Sequence, residues 1–242
     1  MTTTEPDTSL VEKLVAANRI LYDQGVVDGL GHISVRHGTA ADTFMLSCSR
    51  APALVVARDI VCYDLDGNAV SQTDETNSRP YLERFIHGEI YRTRPDVLAV
   101  VHSHSPSVIP FGVTGHRLRP IYHMAGFLGS GSALFDIRTD AGDTDMLIRN
   151  SELGRALAAS LGARTCVLMR GHGSTTVGNS IEQVVYRAIY AEHNAKLQTR
   201  AMALGEVTYL SAPEADLAAA ANDTQIGRSW DLWLRRVGKI EG

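Results

Sequence analysis

Apolar positions near the start of the chain fall at helical spacing: Leu10, Leu14, Ile20 and Leu21. They predict an amphipathic helix, with Ser9 as its cap and Glu12 completing a capping box. The glycine-rich segment Gly25–Gly31 ends it. Short strand-like runs follow at His32–Arg36, Phe44–Ser47 and Ile60–Asp64, and Asp66-Gly67 reads as a hairpin turn. Tyr81–Arg92 has a helical pattern, broken at Pro95-Asp96. Val97–Val101 is a continuous apolar run, as expected of a buried strand, and it stops at His102. Ser151–Leu161 predicts another helix, and Cys166–Met169 another buried strand that ends at Arg170-Gly171-His172-Gly173. A long alanine-rich helix is expected from about Ser180 to Leu204, with Gly205 as its stop. Trp230 and Trp233 read first as a packing face of a C-terminal helix, and secondly as an aromatic lid. Helices and strands interleave throughout, which predicts one mixed α/β domain over 1–242, with a core at about 10–205 and a helical tail at about 212–238.

Composition narrows the function classes. The chain has 242 residues, enough for a sizeable core without disulfides. A formal charge of -4 gives no global attraction to nucleic acid or to an anionic membrane. No run approaches the roughly 20 apolar residues of a membrane span. The polar start Met1–Ser9 lacks the pattern of a secretory signal, so a cytoplasmic location is expected. Three scattered cysteines argue against a disulfide framework or a cysteine-rich zinc site. Nine histidines are the one unusual entry in the composition.

Two of the histidine placements matter. In an extended strand, residues i and i+2 point the same way, so His102 and His104 can present two imidazoles to one point. His172 lies between two glycines after another apolar strand, and small flanks let the backbone come close to a ligand. If the two strands are neighbours, three histidines converge. Three nitrogen ligands with an open position is the arrangement of a catalytic metal. The residues alone leave open that these are ordinary polar residues at strand ends.

A wider pattern surrounds them. Glu83 stands nineteen residues before His102, followed by His87, Ile90-Tyr91 and Arg94-Pro95-Asp96-Val97. Leu168-Met169-Arg170-Gly171-His172-Gly173, Gly178, and then Glu192, Ala195 and Lys196 continue it, and Gly31–Arg36 precedes it. Over about residues 10–205 the chain resembles the class II aldolase/adducin family. The resemblance implies a three-layer α/β/α fold with a central, mostly antiparallel sheet. It implies a homotetramer with active sites between subunits, and a divalent metal held by His102, His104 and His172. Zinc or manganese is expected, with cobalt or iron also compatible. Glu83 takes the place of the general acid/base.

The chain departs from the family's sugar-phosphate pattern at three places. His32 stands where an asparagine is usual, Arg50 replaces a loop glycine, and Tyr81-Leu82 replace two serines before Glu83. A phosphate cradle needs donors and close backbone approach, so a sugar phosphate is not the expected substrate. Tyr81–Glu89, Val108–Val113 and His123–Gly129 resemble a branch that decarboxylates hydroxylated aromatic or pyridine dicarboxylates, such as 3,4-dihydroxyphthalate and 3-hydroxy-2-methylpyridine-4,5-dicarboxylate. On that reading the enzyme is a carboxy-lyase whose metal chelates a ring hydroxyl and the neighbouring carboxylate. Tyr81 walls the substrate, Arg50 and Arg79 hold the retained carboxylate, and Ser49 and His123 complete the pocket. His32 and His87 are candidates to orient ligands, while His37, His116 and His193 read as solvated or locally satisfied. An aldolase or epimerase acting on a small non-phosphorylated carbonyl compound is the alternative. An iron-dependent oxygen chemistry or a non-catalytic binding module is more remote.

Overall fold

The computed structural model describes residues 7–38, 40, 42–70 and 79–238. Most of the polar start lies outside them. Strands β1 (His32–Arg36), β2 (Thr43–Ser47), β3 (Ile60–Asp64), β4 (Ala99–Ser103), β5 (Ala133–Phe135), β6 (Cys166–Met169) and β7 (Gly173–Gly178) form one sheet. Its order is β3-β2-β1-β4-β7-β6-β5, and every pairing is antiparallel except β5 with β6. The helices are α1 (Thr8–Asp23), α2 (Arg84–Thr93), α3 (Ile109–Val113), α4 (Arg138–Ala141), α5 (Ser151–Leu161), α6 (Ile181–Leu204), α7 (Ala212–Asp223) and α8 (Ile226–Val237).

The period of 2 along the strands sorts their side chains onto two faces. Ile33 and Val35 of β1 and Ala99 and Val101 of β4 join a core with α1, α6 and α8. Val100 of β4 joins a second core with Ile86, Ile90 and Tyr91 of α2 and Leu157 and Leu161 of α5. The result is the expected three-layer α/β/α architecture. Trp230 and Trp233 are buried in the first core of their own chain, with the Tyr190 ring 6.4 Å from Trp233. They are packing residues, not a lid. No helix among the described residues is long and apolar enough to cross a membrane.

Several expected boundaries move for physical reasons. Asp7, not Ser9, caps α1, its side chain accepting the Ser9 N–H at 2.9 Å. Helix α2 starts at Arg84 rather than Tyr81, with Glu83 at its N-cap position and the Glu83 side chain turned to other partners. Strand β4 runs on to Ser103, carried by its pairing with β7. The strands before His102 and His172 are not neighbours. Strand β7 lies between β4 and β6, and His172 sits in the β6–β7 hairpin. A Cβ on Gly173 would lie 2.1 Å from the Ser103 carbonyl oxygen. That glycine serves the close approach of two strands, not of a ligand. Asp66-Gly67 forms the expected turn, with Gly67 at φ +79 and its N–H donating to the Asp64 carbonyl at 3.0 Å. His37 is buried, not solvated.

Candidate metal centre and active site

Glu83, His102, His104 and His172 each offer one ligand atom, and these atoms all lie within 4.8 Å of one another. His104 Nε2 is 3.3 Å from His102 Nε2 and 3.1 Å from His172 Nε2. Glu83 Oε2 is 3.5 Å from the Nε2 atoms of both His102 and His172. Nitrogen ligands at about 2.0–2.1 Å from one tetrahedral ion are separated by about 3.3 Å. The three imidazoles therefore fit a single divalent ion, with the Glu83 oxygen beside it.

His102, His172 and Glu83 each have a partner on the side away from the cluster, and the turn after His104 is held by Glu192. His102 Nδ1 is 3.5 Å from the Thr175 hydroxyl of β7, its partner in register. His172 Nδ1–H donates to the Met146 carbonyl at 3.0 Å, which turns Nε2 toward the cluster. After His104, the buried Glu192 carboxylate of α6 accepts the Ser107 N–H at 3.0 Å and the Ser105 hydroxyl. Glu83 Oε1 accepts the Ile148 N–H at 2.9 Å, leaving Oε2 for the histidines. The 146–148 backbone thus places both His172 and Glu83. Met146 does so at φ 70, an uncommon conformation for a residue with a side chain.

Charge and burial shape the titration. Burial pushes the Glu83 carboxyl up, but the contacts with His102 and His172 outweigh it and hold the carboxyl well below the usual range. Burial also works against the charge on His172, and the Glu83 carboxylate reverses it, raising that imidazole. Burial, then the charges of His102 and His172, push His104 down to about 4. Burial, then His102, push His87 down to about 3.

A stability prediction follows from His87. Between its folded value of about 3 and the ordinary 6.5, the unfolded chain binds a proton there that the folded chain does not. The metal-free protein should therefore lose about 1.4 kcal/mol per pH unit from this residue as the pH falls below about 6.5. Urea unfolding at pH 7 and pH 5 checks this, and His87→Asn should flatten the dependence.

A cavity of about 300 Å³ opens beside the cluster. His32, Ser49, Arg50, Tyr81, Leu82, Glu83, His104 and Leu147 are among the residues that line it. All three departures from the sugar-phosphate pattern thus face one space, next to the acid/base candidate and a candidate metal ligand. The Tyr81 hydroxyl donates to the Arg50 carbonyl, and its ring lies 4.4 Å from that of His32. The Arg50 Nε is 3.4 Å from a carboxylate oxygen of the buried Asp59, so part of its charge is already paired. Arg79 is exposed and does not line the cavity, and its carbonyl accepts the Ser49 N–H at 2.7 Å. His123 is exposed at the start of the 123–128 turn of helix, where its carbonyl accepts from Asn222, and the fold of one chain does not bring it to the cluster.

The Class II Aldolase and Adducin N-terminal domain family matches residues 12–199. The chain belongs to this family. It is 40% identical to Decarboxylase tropJ of Talaromyces stipitatus, over 94% of this chain and 93% of that protein. It is 34% identical to the 3,4-dihydroxyphthalate decarboxylase of Arthrobacter keyseri, over 95% of this chain and 93% of that one. Among solved structures, L-fuculose 1-phosphate aldolase of Glaciozyma antarctica superposes with a TM-score of 0.80 at 24% identity, covering 97% of this chain and 92% of that chain. That likeness shows the shared fold. Within the family fold, Thr175 and the 146–148 backbone escaped the sequence reading. A threonine pair inside Gly173–Gly178 was a usable strand signal, whereas a backbone carbonyl leaves none.

Proposed function

We propose that this family member is a metal-dependent, non-oxidative decarboxylase of a hydroxylated aromatic or pyridine dicarboxylate. The carrying observation is the single cavity in which Leu82, Tyr81, Arg50 and His32 replace a phosphate cradle beside Glu83 and His104. The decarboxylase names of two relatives that match nearly the whole chain support the same reaction class.

His102, His104 and His172 would hold a divalent ion, with zinc or manganese suited to three imidazoles and cobalt or iron also compatible. That ion supplies Lewis-acid polarisation to a ring hydroxyl and its neighbouring carboxylate. With a cation beside its Oε2, Glu83 would start ionised, so it acts first as a base and takes the hydroxyl proton on Oε2. It then returns that proton to the ring carbon bearing the carboxylate. The carbon–carboxylate bond breaks, CO2 leaves, and the bonding pair returns to the ring and restores its aromaticity. Proton and electrons balance without an oxidant. Tyr81 and Leu82 would wall the ring, while Ser49 and Arg50 would meet the carboxylate that stays. The reading includes a homotetramer with sites between subunits, where Arg79 and a neighbouring copy's His123 would close the pocket.

The test is CO2 release from 3,4-dihydroxyphthalate and from 3-hydroxy-2-methylpyridine-4,5-dicarboxylate by the metal-loaded protein. One equivalent of CO2 per substrate consumed is expected. Aldehyde formed from small carbonyl substrates, with no CO2 from either dicarboxylate, would replace this reading by the aldolase one.

A further inference from the structure

Two periodicities meet behind the cavity. On β1, His32, Ser34 and Arg36 alternate onto the face that looks at α2. On and before α2, Glu83, His87 and Tyr91 recur every fourth residue, along one helix face. Their contact builds a continuous chain of buried polar groups. His32 Nδ1 is 2.7 Å from His87 Nε2, His87 Nδ1 is 2.6 Å from Ser34 Oγ, and Ser34 Oγ is 2.8 Å from the Tyr91 hydroxyl. His32, Ser34, His87 and Tyr91 are all buried.

The chain has a direction. Ser34 is the only side-chain hydrogen-bond partner of the Tyr91 hydroxyl among the described residues. The Arg36 guanidinium lies 4.8 Å from the centre of the Tyr91 ring, and a guanidinium accepts nothing. The Tyr91 proton therefore goes to Ser34. The Ser34 proton then goes to His87 Nδ1, and a neutral His87 carries its hydrogen on Nε2 and donates to His32 Nδ1. His32 is left with its hydrogen on Nε2. With Nδ1 occupied, Nε2 is the nitrogen that can meet a molecule in the cavity His32 lines.

We propose that His32 is a substrate-binding residue that offers a fixed Nε2–H donor to a carboxylate oxygen, and that His87, Ser34 and Tyr91 are the positioning residues that fix its tautomer. The substrate class rests on the decarboxylase reading, which this deepens. The asparagine expected at position 32 also offers an N–H, but a side-chain amide can rotate and present its oxygen instead. A locked imidazole offers only the donor. It therefore favours an anionic oxygen over a hydroxyl hydrogen, which suits a dicarboxylate.

The test has two arms. In metal-loaded protein labelled with ¹⁵N-histidine, two-bond ¹H–¹⁵N correlation spectra should show His32 and His87 each as a single Nε2–H tautomer. Tyr91→Phe should add a second His32 tautomer. In the second arm, phthalate binding is measured by calorimetry. His32→Leu should weaken it about 10-fold or more, as for a lost hydrogen bond to a charged group, while His32→Gln, whose amide nitrogen sits near the place of Nε2, should restore most of it. Circular dichroism and metal content must match the wild type in each variant. A wild-type His32 protonated on Nδ1, a single unchanged tautomer in Tyr91→Phe, or phthalate affinity unchanged in His32→Leu overturns the inference. So does a wild-type protein that binds no phthalate. If both arms hold and no CO2 is released, the decarboxylase reading fails and the carboxylate donor stands.

Discussion

His102→Ala is expected to abolish both metal retention and turnover. His102 is fully buried at the end of the central strand β4, and its Nε2 is within 3.5 Å of both His104 Nε2 and Glu83 Oε2. Alanine removes one of three nitrogen donors. Lewis-acid stabilisation of several kcal/mol corresponds to a fall of at least about 1,000-fold in kcat. Elemental analysis after gel filtration should find the wild type loaded and the variant empty. Unfolding gives a second readout. An ion that binds only the folded state, at 1,000 times its Kd, adds about 4 kcal/mol. The wild-type Tm should therefore rise with added zinc or manganese and fall with a chelator, while that of His102→Ala stays put. A variant that keeps one ion per chain and normal turnover would remove His102 from the ligand set.

The parts of this site that the sequence reveals are those carried by residue type and period. Val97–Val101 reads as a buried strand because both faces of β4 are covered, and the i, i+2 rule then aims His102 and His104 together. Strand β7 goes unpredicted because Gly173, Ser174, Thr175 and Thr176 carry little apolar surface. They are buried because the sheet closes on both sides of them, and Gly173 must be small where β7 crowds Ser103. With β7 unseen, β4 and β6 had no reason to be separated. The positions of Met146 and Ile148 are hidden for a different reason. They act through a carbonyl and an N–H, which every residue type except proline supplies. Arg50 shows the limit of reading charge alone, since Asp59, nine residues away, already pairs with part of the charge expected for the substrate. Glu83, His87 and Tyr91 stand four residues apart, but that spacing carries a meaning only once the alternate residues of β1 are laid against it.

Glu83→Gln is expected to separate metal binding from chemistry. The glutamine is nearly isosteric, and its amide oxygen can still accept the Ile148 N–H that places Oε1 at 2.9 Å. His102 and His172 keep their anchors on Thr175 and Met146, and the turn after His104 keeps Glu192, so the ion should remain. What is lost is a group that can take a proton and give it back. General acid–base catalysis contributes about 100- to 10,000-fold, and kcat should fall within that range while the affinity for phthalate changes little. The electrostatics sharpen the expectation. In the loaded protein the cation beside Oε2 favours the ionised carboxylate, so its first act is to accept a proton. An amide cannot accept one at any pH, so raising or lowering the pH should not recover the variant. Glu83→Asp keeps the acid but draws it back by one methylene, away from Oε2's two histidine contacts at 3.5 Å. It should therefore regain part of the rate that Glu83→Gln loses, with the metal still bound. Full turnover in Glu83→Gln would move the proton transfer to another group in the cavity.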